Sequence, residues 1–400
     1  MKIETMRKID YAVGIPLSFL ISLTKGLIPS RRLSETKPRN VLFIELSEMG
    51  SALLADPAMQ RAKSLHGATL FFVIFKRNKA SLDFLKSIDE KNIFTIQDTS
   101  LFRIIADSVR LFFWCEKNKI DAVIDLELFS RATALLAFLT RSSIKVGFHN
   151  YFGEGLYRGN FMTRKVQYNP HIHIAKNFVA LVDSAFTAEE QVPYLKKEIT
   201  DAEIKIRKIV PGDDSRERVF NSIKNVYPGI TREQKIFLVN PNASEFLPQR
   251  KWPLDNYTAL IKIVLEKHPD LLVLMTGAPS EKAEIQTIQD AVKSDRCHNF
   301  AGRVSFADLT TLYSISKVLI TNDSGPGHFS SVTDIKSFVF FGPETPHLYG
   351  SLGNSTPIYA NYACSPCVSA YNHRKTPCVD NQCLKVLKPQ MVYDMIKADF

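Results

Sequence analysis

Short apolar runs, each closed by a polar or glycine-bearing turn and followed by a helix-like stretch, restrict this chain's fold more than any other feature. Asn40 to Leu46 (NVLFIEL), Ala68 to Phe75, Ala122 to Leu126 and Ile144 to Phe148 form a first series. Ser47 to Ser51 reads as the turn after its first strand, Ala52 to Leu65 as one helix carrying Pro57, and a further helix lies around Ala132 to Thr140. Ile236 to Asn240, Leu271 to Thr276, His298 to Phe300, Val318 to Ile320 and Ser337 to Phe341 form a second, with helices from Ser280 and Phe306. Runs without polar alternation belong to strands buried on both faces, and strands spaced by helices belong to parallel sheets. The chain therefore reads as α/β, with two Rossmann-like domains expected to face each other across a cleft. At 400 residues it is long for a single core. The expected boundaries are a basic, apolar segment at 1–38, a first domain at 39–190, a polar, helical connector at 191–233, and a second domain at 234–400.

Charge is unevenly spread. The formal balance is +10, and residues 1–40 carry eight Lys or Arg against three acidic residues. Within this leader, Tyr11 to Leu23 is an apolar stretch of 13 residues broken by Gly14 and Pro16. A bilayer span takes about 20 apolar residues. The stretch is too short for that and lacks the small-residue cleavage site of a signal peptide. A helix lying in an anionic membrane surface fits it, as does packing on the protein's own core. Aromatic-basic interleaving is missing, so nucleic acid is not the expected partner.

The second series ends its strands in residues suited to a ligand. Asn240-Pro241-Asn242-Ala243 is followed by Arg250-Lys251-Trp252-Pro253; Thr276-Gly277-Ala278-Pro279 leads to Glu281; Ala301-Gly302-Arg303 closes a third strand. The fourth is Thr321-Asn322-Asp323-Ser324-Gly325-Pro326-Gly327-His328, a tight turn into a helix start. Open α/β sheets bind ligands at such carboxyl ends. A helix start presents unpaired N–H groups to a phosphate. Cations for a diphosphate, a carboxylate for ribose hydroxyls and backbone donors are thus all present.

Six cysteines occur, and Cys364, Cys367, Cys378 and Cys383 cluster with spacing C-x2-C-x10-C-x4-C. Two close pairs could hold a structural zinc through four thiolates; reduced thiols and disulfides are the alternatives.

These segments together resemble glycosyltransferase family 9, the bacterial heptosyltransferases with the GT-B fold. The matching signatures are NPNA with RKWP, TGAPSEKAE, AGRVSFADLTTLYSISKVLITNDSGPGH and FFGPETP, with VLFIELSEMGSALLADPAM, VIDLELFSRATALL, IKVGF and HIAKNF in the first domain. The resemblance covers roughly residues 40–385. It implies an inverting, metal-independent transferase needing no cofactor for catalysis. A sugar, heptose carried on ADP, would pass to lipopolysaccharide core or another lipid-linked glycan. Matching positions give the nucleotide and diphosphate to Lys251, Glu281, Asp323, Ser324, Gly325 and His328, with Asn242, Gly277 and Gly327 beside them.

One position departs from the family pattern. The first turn usually reads Gly-Asp, its Asp serving as base; here Ser51 follows Gly50. A serine hydroxyl cannot accept a proton near neutral pH without another group driving it. Glu48 in the same turn is the expected replacement, and Asp56 on the following helix is a poorer one. Asp125-Leu126-Glu127 is a lone acidic pattern read as structural rather than metal-binding. Arg131 and Arg158 are candidates to contact an anionic acceptor. The leader would hold a cytoplasmic enzyme against the inner face of the inner membrane. A catalytically silent nucleotide-sugar-binding scaffold and a sugar-nucleotide epimerase remain the alternatives. A dinucleotide-dependent dehydrogenase and a P-loop NTPase are excluded, since neither glycine-rich loop is present.

Overall fold

The apolar runs become the strands of two all-parallel sheets. The first contains β1 (Asn40–Ile44), β2 (Thr69–Phe75), β3 (Ile93–Ile96), β4 (Ala122–Asp125), β5 (Ile144–His149) and β6 (Arg164–Gln167), in the order β3-β2-β1-β4-β5-β6. The second contains β7 (Lys235–Asn240), β8 (Leu271–Met275), β9 (Cys297–Asn299), β10 (Val318–Asn322), β11 (Lys336–Phe341) and β12 (Ser355–Tyr359), in the order β12-β11-β10-β7-β8-β9. This computed structural model describes residues 3–24, 37–152, 156–188, 190–243 and 246–400. The chain divides into two units, Met1–Lys205 and Ile206–Phe400.

Both sheets share one topology. The first strand of each is central, its next two neighbours run outward on one side and the remaining three on the other. Val41 pairs with Leu70 and Ala122, and Val318 with Phe237 and Lys336. Strand order reverses between β1 and β4 and between β7 and β10. The carboxyl ends of those pairs are where each sheet offers a ligand crevice.

The strands absent from the sequence expectation, β3, β6 and β12, all lie at sheet edges. An edge strand pairs on one side only and can be short and polar, as Arg164–Gln167 (RKVQ) is. The expected single helix after β1 is two, Met49–Leu54 and Asp56–His66, parted at Ala55. Pro57 has no N–H to give the preceding turn and starts the second helix instead. Asp56 is fully buried and accepts from Ser87 Oγ at 2.5 Å and Gln60 Nε2 at 3.3 Å, which occupies it structurally. Residues 191–233 contain the boundary between the units, a single turn at Asp201–Ile204 and the helix Asp213–Lys224.

The leader forms two consecutive helices, Ile3–Ala12 and Gly14–Thr24; residues 25–36 of the leader lie outside the described residues. Among the described residues no helix is long and apolar enough to cross a membrane. The leader docks on helix Arg131–Leu139. Asp10 Oδ1 accepts the backbone N–H groups of Arg131 and Ala132 at 3.0 and 2.8 Å, capping that helix from a distant part of the chain. Asp10 Oδ2 lies 3.1 Å from Arg131 Nη1. A Cβ on Gly14 would sit 2.9 Å from Arg131 Cβ, so only glycine allows this approach.

Candidate functional site

In the second unit, Asn322 closes β10 and organises the loops around it. Its Oδ1 accepts from Trp252 N at 2.9 Å and Tyr257 Oη at 3.1 Å; its Nδ2 donates to Pro241 O at 2.8 Å and Asn242 O at 3.2 Å. A single buried amide thereby ties the loop after β7 and the Arg250–Pro253 loop to β10. Trp252 is fully buried, stacked on Phe340 at 4.4 Å, with Nε1 donating to Leu387 O. It serves the core and supports the loop from beneath.

Beside this anchor, Asn242 turns its carboxamide over Gly277. It is 2% exposed, yet among the described residues neither Oδ1 nor Nδ2 has a hydrogen-bond partner. Burying an unsatisfied amide costs about 1–3 kcal/mol, so a polar group that reached this side chain would gain by bonding to it. A Cβ on Gly277 would meet Ile285 Cδ1 at 2.6 Å, Glu281 Oε2 at 2.8 Å and Asn242 Nδ2 at 3.3 Å. Glycine thus keeps open the space shared by Asn242 and Glu281. Glu281 Oε2 also accepts from Ala278 N at 2.6 Å.

The cations are already paired. Lys251 Nζ lies 3.0 and 2.9 Å from the two oxygens of Glu284. Arg250 bridges Asp323 (Nε to Oδ2, 3.3 Å) and the buried Glu344 (Nη2 to Oε1, 3.1 Å), and Arg374 Nε lies 3.5 Å from the same Glu344 oxygen. Arg250, Asn322 and Glu344 were not singled out as site residues, although RKWP, TNDSG and FFGPETP contain them.

The turn after β10 differs from expectation in its donors. Asp323 is buried and its N–H bonds Phe340 O at 2.9 Å. The helix it leads to, Gly325–Ser330, is short; Pro326 has no N–H, and that of Gly327 returns to Ser324 O at 3.2 Å. The helix start therefore presents fewer free N–H groups than its sequence suggested. Gly327 is required by space: a Cβ there would lie 2.9 Å from Ser351 Oγ and 3.1 Å from Val339 Cγ2. His328 is buried, with Nδ1 3.4 Å from Ser351 Oγ. Ser324 Oγ donates to Asn322 O at 3.1 Å.

In the first unit, carboxylates converge at the carboxyl ends of β1 and β4. Glu45 is buried and accepts the Glu48 N–H at 3.3 Å. Glu127 Oε1 accepts the N–H groups of Leu46 and Ser47 at 3.0 and 2.9 Å. Asp125, fully buried, accepts from the Glu127 N–H at 3.1 Å and pairs with Arg158. Burial, with repulsion from Glu127, Glu48 and Asp125, holds Glu45 well above the ordinary carboxylate range. Burial also raises Glu127, and raises Asp125 despite its guanidinium partner. Glu48 is half-buried, and Ser51 Oγ donates to its Oε2 at 3.4 Å. The structure therefore joins the two residues singled out in this turn and adds Glu45 and Glu127, whose signal was a charge directly after an apolar strand. The Asp125–Glu127 pattern is committed to Arg158 and to the β1 turn.

Three sequence expectations need correction. Arg131 is 2% exposed and engaged by Asp10, with its guanidinium 5.7 Å from the Tyr11 ring, so it anchors the leader. Arg158 is 4% exposed and bound to Asp125 and to Glu127 O, so its charge is spent inside the protein. Neither is presented to an acceptor. The cysteine cluster does not support the zinc alternative: among the described residues no group of three or more His, Cys, Asp or Glu is arranged to hold a metal ion. Cys364 is exposed, Cys383 is buried, and all four are free thiols. Burial, then the neighbouring thiols, pushes Cys383 up to about 11. This segment instead braces the loops above β7 and β11: Asn381 Nδ2 donates to Gln249 O and Lys251 O, and Cys367 N to Pro343 O.

The model of glycosyltransferase family 9 (heptosyltransferase) matches residues 111–377, well over half of the chain. The chain belongs to glycosyltransferase family 9. A curated relative, lipooligosaccharide heptosyltransferase 2 of Campylobacter jejuni, is 28% identical over 168 residues, 41% of this chain and 51% of that protein. The match thus spans about half the length of this relative. Two solved structures share the fold. The glycosyl transferase family 9 protein of Veillonella parvula has a TM-score of 0.70 at 16% identity, over 91% of this chain and 97% of that one. The E. coli ADP-heptose lps heptosyltransferase II has a TM-score of 0.67 at 16% identity, over 90% and 98%. The GT-B architecture expected from the family 9 signatures is the fold found, as two like sheets in two Rossmann-like units.

Proposed function

We propose that this family 9 member transfers heptose from ADP-heptose to a lipopolysaccharide-core or other lipid-linked glycan, by inverting, metal-independent displacement. The names of its relatives support the donor and acceptor class. The observation that carries an active enzyme rather than a silent scaffold is the Ser51–Glu48 pair. The position where the family carries its Asp is a serine, but a half-buried carboxylate in the same turn accepts its hydroxyl.

The second unit holds the donor. Asn242 completes its hydrogen bonds on the nucleotide-sugar and Glu281 takes ribose hydroxyls. Lys251 exchanges Glu284 for the diphosphate as negative charge develops on the leaving group, with Arg250 on the same loop and His328 on the helix after β10. The first unit supplies the base. An acceptor hydroxyl forms a bond to the anomeric carbon as the bond to the ADP oxygen breaks, and its proton passes to Glu48. Glu45 beside it is held well above the ordinary carboxylate range by burial, with repulsion from its acidic neighbours.

The leader supports a peripheral position on the inner face of the inner membrane. Helix Gly14–Thr24 is inverted relative to a water-facing helix: it buries Gly14 and Ser18, while Leu17, Phe19, Leu20 and Leu23 are exposed. Large apolar side chains turned outward belong in an apolar medium.

The test is Glu48→Gln assayed with ADP-heptose and a lipopolysaccharide-core acceptor. The expected result is a loss in kcat of about 10²–10⁴-fold with ADP affinity unchanged. Full turnover would remove Glu48 as base. Failure of the wild-type protein both to bind ADP and to transfer would return the scaffold reading.

A further inference from the structure

A second helix in the first unit also turns its apolar side chains away from the protein. Helix Leu101–Lys117 buries Asp107, Leu111 and Cys115. Its Ile104 and Trp114 pack against the same core cluster that receives Met6 and Ile21 of the leader, so both elements cover one face of the first sheet. At about 100° per residue, Leu101, Ile105, Val109, Phe102 and Phe113 fall on one outward arc. All five are exposed, Phe102 by 78% and Phe113 by 65%.

Charge borders this arc on one side. Lys117, Arg110 and Arg103 follow it around the helix and are exposed. The acidic residues of the helix are withdrawn or paired: Asp107 is buried and accepts the Gln97 N–H and Arg110, while Glu116 is half-buried, 3.9 Å from Arg141. A water-facing helix would present its charges outermost and bury its phenylalanines. An aromatic-aliphatic arc with a cationic margin instead matches a bilayer interface, with acyl chains beneath and anionic phosphates beside them.

We infer that the 101–117 helix is a second membrane-docking element. Phe102, Ile105, Val109 and Phe113 enter the acyl boundary of an anionic bilayer, and Arg103, Arg110 and Lys117 meet the lipid phosphates. The inference rests on the membrane reading of the leader and extends it. Two apolar strips on one face of a sheet bind the same surface together, so their partition coefficients multiply.

The experiment is flotation of the full chain with phosphatidylethanolamine vesicles, with and without phosphatidylglycerol. Phe102→Ser with Phe113→Ser is expected to lower partitioning about tenfold or more. Arg103→Gln with Arg110→Gln and Lys117→Gln is expected to lower it about tenfold on the anionic vesicles only. Phe19→Ser with Leu23→Ser tests the leader separately. An unchanged thermal transition and unchanged ADP binding establish that each variant is folded. Wild-type binding by the Phe102/Phe113 variant, alongside loss in the leader variant, overturns this inference and leaves the leader reading intact. Wild-type protein that ignores both vesicles overturns the two together. If light scattering shows that the Phe102/Phe113 pair dissociates a dimer and leaves vesicle binding unchanged, the arc is a contact between copies and the inference falls.

Discussion

Asn322→Asp isolates the hub of the candidate donor site, because the change is nearly isosteric and its cost depends on pH. The Oδ1 contacts to Trp252 N and Tyr257 Oη survive, but an oxygen replaces the donor that lies 2.8 Å from Pro241 O and 3.2 Å from Asn242 O. Protonated, the new acid can donate to one of those carbonyls and leaves the other unsatisfied, costing about 1–3 kcal/mol. Ionised, it sets a charge against two carbonyl oxygens in a fully buried site. Full burial raises a carboxyl pKa by about 3–5 units. The folded-state pKa then lies above the unfolded value of about 3.9, so the native state keeps its proton longer than the unfolded chain. Stability relative to wild type should therefore fall as pH rises above about 4, by about 1.4 kcal/mol per pH unit, and level off beyond the folded pKa. Near pH 7 the pH-dependent part alone reaches about 4 kcal/mol, against a total domain stability of about 5–15 kcal/mol. Urea unfolding at several pH values measures this. Trp252 fluorescence in a Trp114→Phe background confines the signal to the second unit, since the chain has two tryptophans. A deficit under about 1 kcal/mol that does not grow with pH would refute the reasoning.

Asn242→Leu should separate stability from function: removing a buried amide that has no partner among the described residues is expected to stabilise the fold by about 1–3 kcal/mol while weakening ADP binding tenfold or more, read by urea unfolding and calorimetry. Glu45→Gln should stabilise the first unit increasingly as pH rises. Glu45 is held above its unfolded value, so ionising it costs the native state more than the unfolded chain, and denaturant midpoints should diverge from wild type above about pH 4. Arg131→Ala should cost about 2–3 kcal/mol and hasten proteolysis within residues 3–24, leaving acceptor KM unchanged, because the guanidinium anchors the leader and Asp10 keeps two backbone donors after it is gone.

The legible parts of the candidate site were those fixed by local chain chemistry. Asn242, Gly277, Glu281 and Asp323 stand where strands end and polar or glycine residues begin, and such turns are short-range properties. Glu48 and Ser51 were found together for the same reason. Arg131 and Arg158 were misread because a basic residue after a strand looks alike whether it meets solvent or a distant carboxylate. Asp10 and Asp125 neutralise them across 121 and 33 residues. The cysteines left zinc, reduced thiols and disulfides open, because convergence of four thiolates depends on how the 364–383 segment lies on the loops it braces.

By itself the sequence determined that there would be two parallel α/β sheets, because continuous apolar runs cannot lie at a water interface and βα alternation admits few topologies. It also determined the family, through the signatures carried at strand ends. Only the tertiary structure decided which charges are spent inside. It committed Lys251 to Glu284, Arg250 to Asp323 and Glu344, and Arg158 to Asp125. It also left the Asn242 amide buried without a partner among the described residues. The physical reason is range. Backbone conformation and burial pattern are set by neighbours a few residues away. The pairing and protonation of a side chain depend on which charges the fold brings within a few ångströms, from anywhere in the chain.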